Sequence, residues 1–218
     1  MTFWQITGEL LDGFAYTLMI FGITLAAAIP FGLVVAFGSM SKFRPLSMLV
    51  KGVVWVIRGT PLMLQIIIFA LGPGLWLNIP IRGNTALLLM VCIAFIINYA
   101  CYFSEIFRGG IESISKGQHE AGQVLGMTKW QVFRHVVLLQ VVKRVIPPTS
   151  NEIITLVKDT ALASVVVRVD MFTVAKNIAN VHIIIWPLFY AGLFYLVFVG
   201  LLTILFGRLE KKLDYFKV

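Results

Sequence analysis

Charge is scarce in this chain. Of 218 residues, 13% are Asp, Glu, Lys or Arg and 59% are hydrophobic. A water-soluble domain carries roughly a quarter charged residues, so the composition excludes an ordinary soluble fold and points to an integral membrane protein. Cysteine is nearly missing. Cys92 and Cys101 fall in one apolar stretch, which gives neither a disulfide framework nor a metal-ligand spacing and leaves both as packing residues. Histidine is equally sparse, and His119, His135 and His182 form no catalytic or metal arrangement. No Gly-Lys pair occurs, so the phosphate-cradling G-x-x-x-x-G-K-[ST] loop is absent, and the chain is expected to hydrolyse no ATP by itself. Lys and Arg are missing before Lys42, which argues against a cleavable signal peptide with its basic leading segment.

What is present is apolar helix. At ~20 residues per crossing, a chain of this length admits about five or six spans. The pattern predicts an all-α membrane bundle of about five transmembrane helices, near 13–38, 47–71, 85–106, 148–166 and 184–206, forming one transmembrane domain over 1–218. Pro30 lies inside the first span. Arg58-Gly59-Thr60-Pro61 interrupts the second, and Gly72-Pro73-Gly74 is expected to end it. The fourth is expected to open just after Pro147-Pro148, since proline is tolerated at a helix start.

The net charge of +8 belongs to membrane orientation and not to nucleic acid. Twelve of the 18 basic residues fall on one side: Lys42 and Arg44; Arg108, Lys116, Lys129, Arg134, Lys143 and Arg144; and Arg208, Lys211, Lys212 and Lys217. Only Arg82, Arg168 and Lys176 fall on the other, with Lys51, Arg58 and Lys158 within or at the edge of spans. The positive-inside rule puts the twelve in the cytoplasm, with the N-terminus outside and the C-terminus inside.

The longest cytoplasmic connection, 107–146, contains EAGQVLGMTKWQVFRHVVL (120–138). Ala121, Val124, Leu125, Val132, Phe133, Val136 and Val137 recur at helical spacings, while Gly117, Gly122 and Gly126 weaken a continuous helix. Two short helices bent near Gly126 are expected, with an apolar side against the spans and the other side presented to water or a partner.

This stretch resembles the EAA loop of ABC-importer permeases, whose pattern is E-A-A-x3-G-x9-I-x-L-P. Glu120, Ala121 and Gly126 match; Gly122 replaces the second alanine, and Leu139 replaces the proline. RGTPLMLQ (58–65), SEIFRGGIESISKGQ (104–118), LGMTKWQVF (125–133) and NEIITLVKDTAL (151–162) are similar, in order and spacing, to segments of the polar amino-acid permeases of the histidine/glutamine/arginine type. The resemblance spans about 13–210. It implies a bacterial inner-membrane permease subunit, paired with an identical or related permease and attached to two ATPase subunits that bind ATP and Mg. It also implies an extracytoplasmic binding protein that delivers the amino acid. Glu120, Ala121, Gly122 and Gly126 would then form the helix that couples to the ATPase. No cofactor is expected on this chain.

Charges at membrane depth are costly and usually functional. Glu152 and Asp159 stand two helical turns apart, with Thr155 on the same side and Lys158 beside Asp159. An acidic face with a nearby cation complements the ammonium and carboxylate of an amino acid, and Glu152 leans the expectation towards a basic substrate. An internal Lys–acid network is the structural alternative. Thr60, Gln65 and Asn98 are further candidates for a cavity lining, or for hydrogen bonds between helices. A proton- or ion-coupled carrier, with Glu152 and Asp159 titrating, is the alternative function; five spans without a recognisable internal repeat weigh against it.

Overall fold

Thr2 caps the first helix. Its hydroxyl accepts the Gln5 amide at 3.4 Å while Gln5 Oε1 accepts the Thr2 amide at 2.8 Å, satisfying two donors that a helix start leaves unpaired. The computed structural model describes residues 2–79, 81, 83–167 and 169–213. Arg82, Arg168 and Lys217 of the charge pattern lie outside the described residues.

Nine α-helices make up the described chain, with no strand among its residues. They are α1 (Phe3–Ser39), α2 (Arg44–Gly59), α3 (Leu62–Trp76), α4 (Asn84–Glu112), α5 (Lys116–Val124), α6 (Lys129–Val132), α7 (Leu138–Asp159), α8 (Met171–His182) and α9 (Trp186–Leu213). A π-helical turn, Phe133–Val137, joins α6 to α7, and a 3₁₀ turn, Thr160–Val165, follows α7.

By length and composition α1, α4 and α9 can each cross a membrane, and α2 with α3 makes a fourth crossing if the bent pair counts as one. Length and composition alone do not count α7, the helix of the predicted fourth span, among these crossings. The segment read as the fourth span is divided between α7 and the 3₁₀ turn, and Lys143, Arg144, Glu152, Lys158 and Asp159 make α7 too charged to qualify.

The expected interruption of the span read as 47–71 falls at Thr60-Pro61, where α2 and α3 meet at 104°. Proline withholds an amide and biases its predecessor to extended backbone; Thr60 has φ −113° and ψ 146°. Other boundaries differ from expectation. Gly72-Pro73-Gly74 does not end the helix. It lies inside α3, and the Pro73 carbonyl accepts the amides of Leu77 at 3.2 Å and Ile79 at 3.1 Å, which closes the helix further on. Pro147 and Pro148 likewise lie inside α7, not before it: helix is already formed upstream, so the two rings remove only two donors. The long connection is shorter than 107–146, since α4 persists to Glu112 and α7 begins at Leu138.

The core is organised around α4. Phe95, Tyr99 and Phe103 are fully buried and pack with Ile20 and Ala28 of α1, Ile66 of α3 and Leu156 of α7. Gly32 lets α1 approach α4 closely: a Cβ there would stand 2.8 Å from Phe103 Cβ and 2.9 Å from the Ala100 carbonyl oxygen. Small residues at such crossings are a means by which membrane helices gain packing. A second cluster joins Ile6 and Leu10 of α1 to Met171 and Ala175 of α8 and Ala191 of α9. Helix α8 was not anticipated. Asp170 starts it, its carboxylate accepting the Phe172 amide (3.1 Å), the Thr173 amide (3.2 Å) and the Thr173 hydroxyl (2.6 Å).

Candidate functional site

Two groups of predicted residues take shape. The first lies along α4 between α3 and α7. Asn98 Nδ2 donates to Gln65 Oε1 at 3.0 Å, and both side chains are buried. Gln65 Nε2 donates across the helix break to the Ile57 carbonyl (2.7 Å) and to Thr60 Oγ1 (2.8 Å). Thr60 Oγ1 in turn donates to the Val56 carbonyl at 3.0 Å. Thr60, Gln65 and Asn98 therefore form one chain that closes the end of α2 and ties it to α4. The broken backbone is satisfied by protein, as membrane depth demands.

One helical position on, Tyr99 faces α7, and its hydroxyl donates to Asp159 Oδ2 at 2.7 Å. Glu152 and Asp159 are both half-buried, and the Glu152 carboxylate has no hydrogen-bond partner among the described residues. Thr155 donates to the Asn151 carbonyl at 3.0 Å and joins no wider network. Lys158 is exposed and makes no ion pair with Asp159 among the described residues, although its charge acts on that carboxylate. The expected Lys158–Asp159 pair is thus an electrostatic neighbour and not a contact.

Tyr99 and the ionic ladder below it were not expected from the sequence. Arg58 stands 3.6 Å from Glu105 and 4.9 Å from the centre of the Tyr102 ring. Arg108 holds Glu105 at 2.5 Å and Glu112 at 2.7 Å. Glu105, Arg108 and Glu112 are spaced three and four apart, so the ladder could have been found from the spacing. Tyr99 offered no such signal among the many aromatics.

The second group is the connection between α4 and α7. Helices α5 and α6 fold back on each other around Gly126, whose φ of 71° is strained for any residue with a Cβ. Gly117 and Gly122 lie inside α5; Gly126 alone marks the bend. Gly122 is buried where a Cβ would strike the Val132 side chain, so glycine permits the two arms to touch. Thr128 caps α6 reciprocally with Gln131, and Ile114, Val132 and Val137 form a small core under the hairpin. Of the apolar residues in this stretch, Val132 and Val137 are buried, while at the tip Val124 is 88% and Leu125 78% exposed, with Glu120 and Ala121 exposed beside them. Turning at Gly126 leaves these side chains largely uncovered among the described residues. The π-helical turn Phe133–Val137 forms the exit, just before Leu139.

Residues 28–215 match the family model described as binding-protein-dependent transport system inner membrane component. The L-cystine transport system permease protein of Bacillus subtilis is 37% identical over 98% of this chain and 88% of that protein. The arginine transport system permease protein of the same organism is 35% identical over 94% of this chain and 92% of that protein. Among solved structures, an amino acid ABC transporter crystallised with histidines superposes with a TM-score of 0.86 at 28% identity, covering 95% of both chains. The inward-facing methionine ABC transporter, at 16% identity and a TM-score of 0.69 over 98% of this chain and 99% of that chain, shares the fold. The chain therefore belongs to the family of binding-protein-dependent transport system inner membrane components, as an amino-acid ABC permease subunit of the bacterial inner membrane.

Proposed function

We propose that this subunit carries a polar L-amino acid, with basic ones favoured, through a site built on Glu152 and Asp159 and gated by alternating access. The observation that carries the substrate class is the pair of half-buried carboxylates two turns apart on α7, one held by Tyr99 and the other without a hydrogen-bond partner among the described residues. An unpartnered carboxylate away from water is heavily penalised. A cation between the two relieves both their repulsion and their desolvation. Asp159, fixed by Tyr99, takes the ammonium group common to all amino acids. Glu152 takes a basic side chain, and exposed Lys158 and Thr155 lie at hand for the carboxylate. Thr60, Gln65 and Asn98 hold the α2–α3 break that shapes one wall.

The hairpin α5–α6 is the seat of the ATPase. Exposed Val124 and Leu125, flanked by Glu120, offer an apolar tip with one charge to a groove on a partner. Two ATPase subunits closing on ATP and Mg move as rigid bodies, and a stiff hairpin passes that motion to α4 and α7. A second permease, identical or related, completes the pathway. An extracytoplasmic binding protein loads it from the face opposite the hairpin, with the N-terminus outside and the C-terminus in the cytoplasm.

Competition among arginine, lysine, histidine, glutamine, glutamate and cystine, measured on the reconstituted assembly, tests the substrate class. Asp159→Asn should depress uptake of every substrate, and Glu152→Gln that of basic ones most. Glutamate competing best, with a ranking unmoved by Glu152→Gln, would contradict it.

A further inference from the structure

Tyr99 and Asp159 make one contact between α4 and α7, and Gly110 against Val145 makes another nearer the hairpin. From the first to the second, α4 runs forward in sequence and α7 runs backward. Glu105 and Glu152 each stand about midway between the two contacts, so their carboxylates lie at one depth on neighbouring antiparallel helices. Arg58, in the last turn of α2, acts on both. It is 3.6 Å from Glu105, and its charge also reaches Glu152. We propose that Arg58 is an internal counter-cation that exchanges between Glu105 and Glu152, and that a basic side chain arriving at Glu152 returns it to Glu105. The exchange rests on the substrate reading above, in which Glu152 takes the basic side chain.

Glu105 does not depend on Arg58. Both of its oxygens are taken by Arg108, whose Nε donates at 3.0 Å and Nη2 at 2.5 Å. The Arg58 contact is longer than a hydrogen bond and ties the guanidinium only loosely. The Tyr102 ring holds it more evenly, with its centre 4.9 Å from the guanidinium carbon. A ring face attracts a cation without demanding one donor direction, so the guanidinium can pivot over it from one carboxylate to the other. The Tyr102 hydroxyl donates to the Arg58 carbonyl at 3.5 Å, which keeps the ring beside the end of α2. The Arg58 side chain is 40% exposed, and with Glu105 and Arg108 it borders a cavity of about 350 Å³ that gives it room to turn.

Charge balance then sets specificity. With Arg58 beside it, Glu152 is neutralised by the protein itself, so a neutral side chain gains nothing by approaching it. A basic side chain replaces Arg58 cation for cation. The displaced guanidinium has a place to go: Glu105, Arg108 and Glu112 together carry one net negative charge, so the ladder takes Arg58 without accumulating positive charge. Lys51 borders the same cavity, and its charge also acts on Glu105, which pushes Arg58 the other way, towards Glu152. Arginine suits the task better than lysine, because its planar guanidinium stacks on the ring while reaching a carboxylate with its edge.

The test is equilibrium binding of labelled arginine and labelled glutamine to the purified permease–ATPase complex. Arg58→Gln removes the competing cation and should tighten arginine about tenfold while moving glutamine less than about twofold. Arg58→Lys, which keeps the charge, should stay near wild type. Glu105→Gln removes the alternative place for Arg58 and should act in the opposite direction, weakening arginine about fivefold. Glu152→Gln should weaken arginine, and in that background Arg58→Gln should no longer tighten it. Arginine unmoved or weakened by Arg58→Gln, tightened no more than glutamine, or tightened as much with Glu152 already replaced, would overturn the exchange. So would arginine unmoved by Glu105→Gln, which decides the matter if Arg58→Gln does not assemble. In each of these cases a selective loss of arginine in Glu152→Gln leaves the substrate reading standing. Arginine binding unchanged in Glu152→Gln would overturn that reading, and the exchange with it.

Discussion

Tyr99 brings a single hydroxyl to Asp159 and is otherwise enclosed by aromatic neighbours, its ring 6.3 Å from those of Phe95 and Phe103. A phenylalanine would keep that packing and lose only the hydroxyl. A hydrogen bond to a charged acceptor contributes about 1.5–3 kcal/mol. If Asp159 takes the substrate ammonium, Tyr99→Phe lets the carboxylate swing, and the KM for uptake should rise about tenfold or more while the amount of assembled complex stays the same. Initial-rate uptake across a substrate series measures this, and an unaltered KM would reduce Tyr99 to a packing residue. Gln65 presents the opposite case. Its amide is already engaged by Ile57, Thr60 and Asn98, so Gln65→Leu removes the bonds it gives to Ile57 and Thr60 and leaves a buried Asn98 donor unpaired. Each unsatisfied group costs about 1–3 kcal/mol, so the purified complex should melt at lower temperature whether or not substrate is present. A loss of substrate affinity at unchanged melting temperature would instead place Gln65 against the ligand.

At the level of elements, the hairpin α5–α6 has two requirements that separate substitutions can probe. Gly126 needs a positive φ, which costs a β-branched residue of order 1–3 kcal/mol, while asparagine adopts it more readily. Gly122 needs the absence of a Cβ against Val132. Gly126→Val and Gly122→Val should both reduce ATPase co-purification or the amino acid moved per ATP, and Gly126→Asn should do so least. Equal attachment and coupling in all three would remove the hairpin from the coupling path. The bend at Gly126 was legible because a helical apolar pattern was interrupted by glycine. The break at Pro61 was legible for the related reason that proline withholds a donor. The prolines at 73, 147 and 148 misled because their effect depends on what surrounds them: helix already formed on both sides absorbs the loss, and no local pattern reports that. Helix α8 escaped because it is short and its start depends on the side chain of Asp170 turning back to its own backbone. Glu152 and Asp159 stood out as charges in apolar sequence, whereas the partner of Asp159 lay 60 positions away on α4 and only folding could join them.

For the whole molecule, the central claim is that transport through this chain is driven by a separate ATPase acting through α5–α6. Orientation comes first: a cysteine at Ser41 should react with an impermeant reagent only after cells are opened, and labelling in intact cells would put the hairpin on the wrong side for an ATP-driven partner. The most direct measurement of the claim is amino-acid uptake into vesicles holding the permease, its ATPase and its binding protein, with wild-type and Gly122→Val permease compared under internal ATP and under an imposed proton or sodium gradient without ATP. Uptake should require ATP, be unaffected by either gradient, and fall in Gly122→Val while ATP hydrolysis persists or the ATPase detaches. Uptake driven by an ion gradient in the absence of ATP, or full ATP-driven uptake by Gly122→Val, would contradict it.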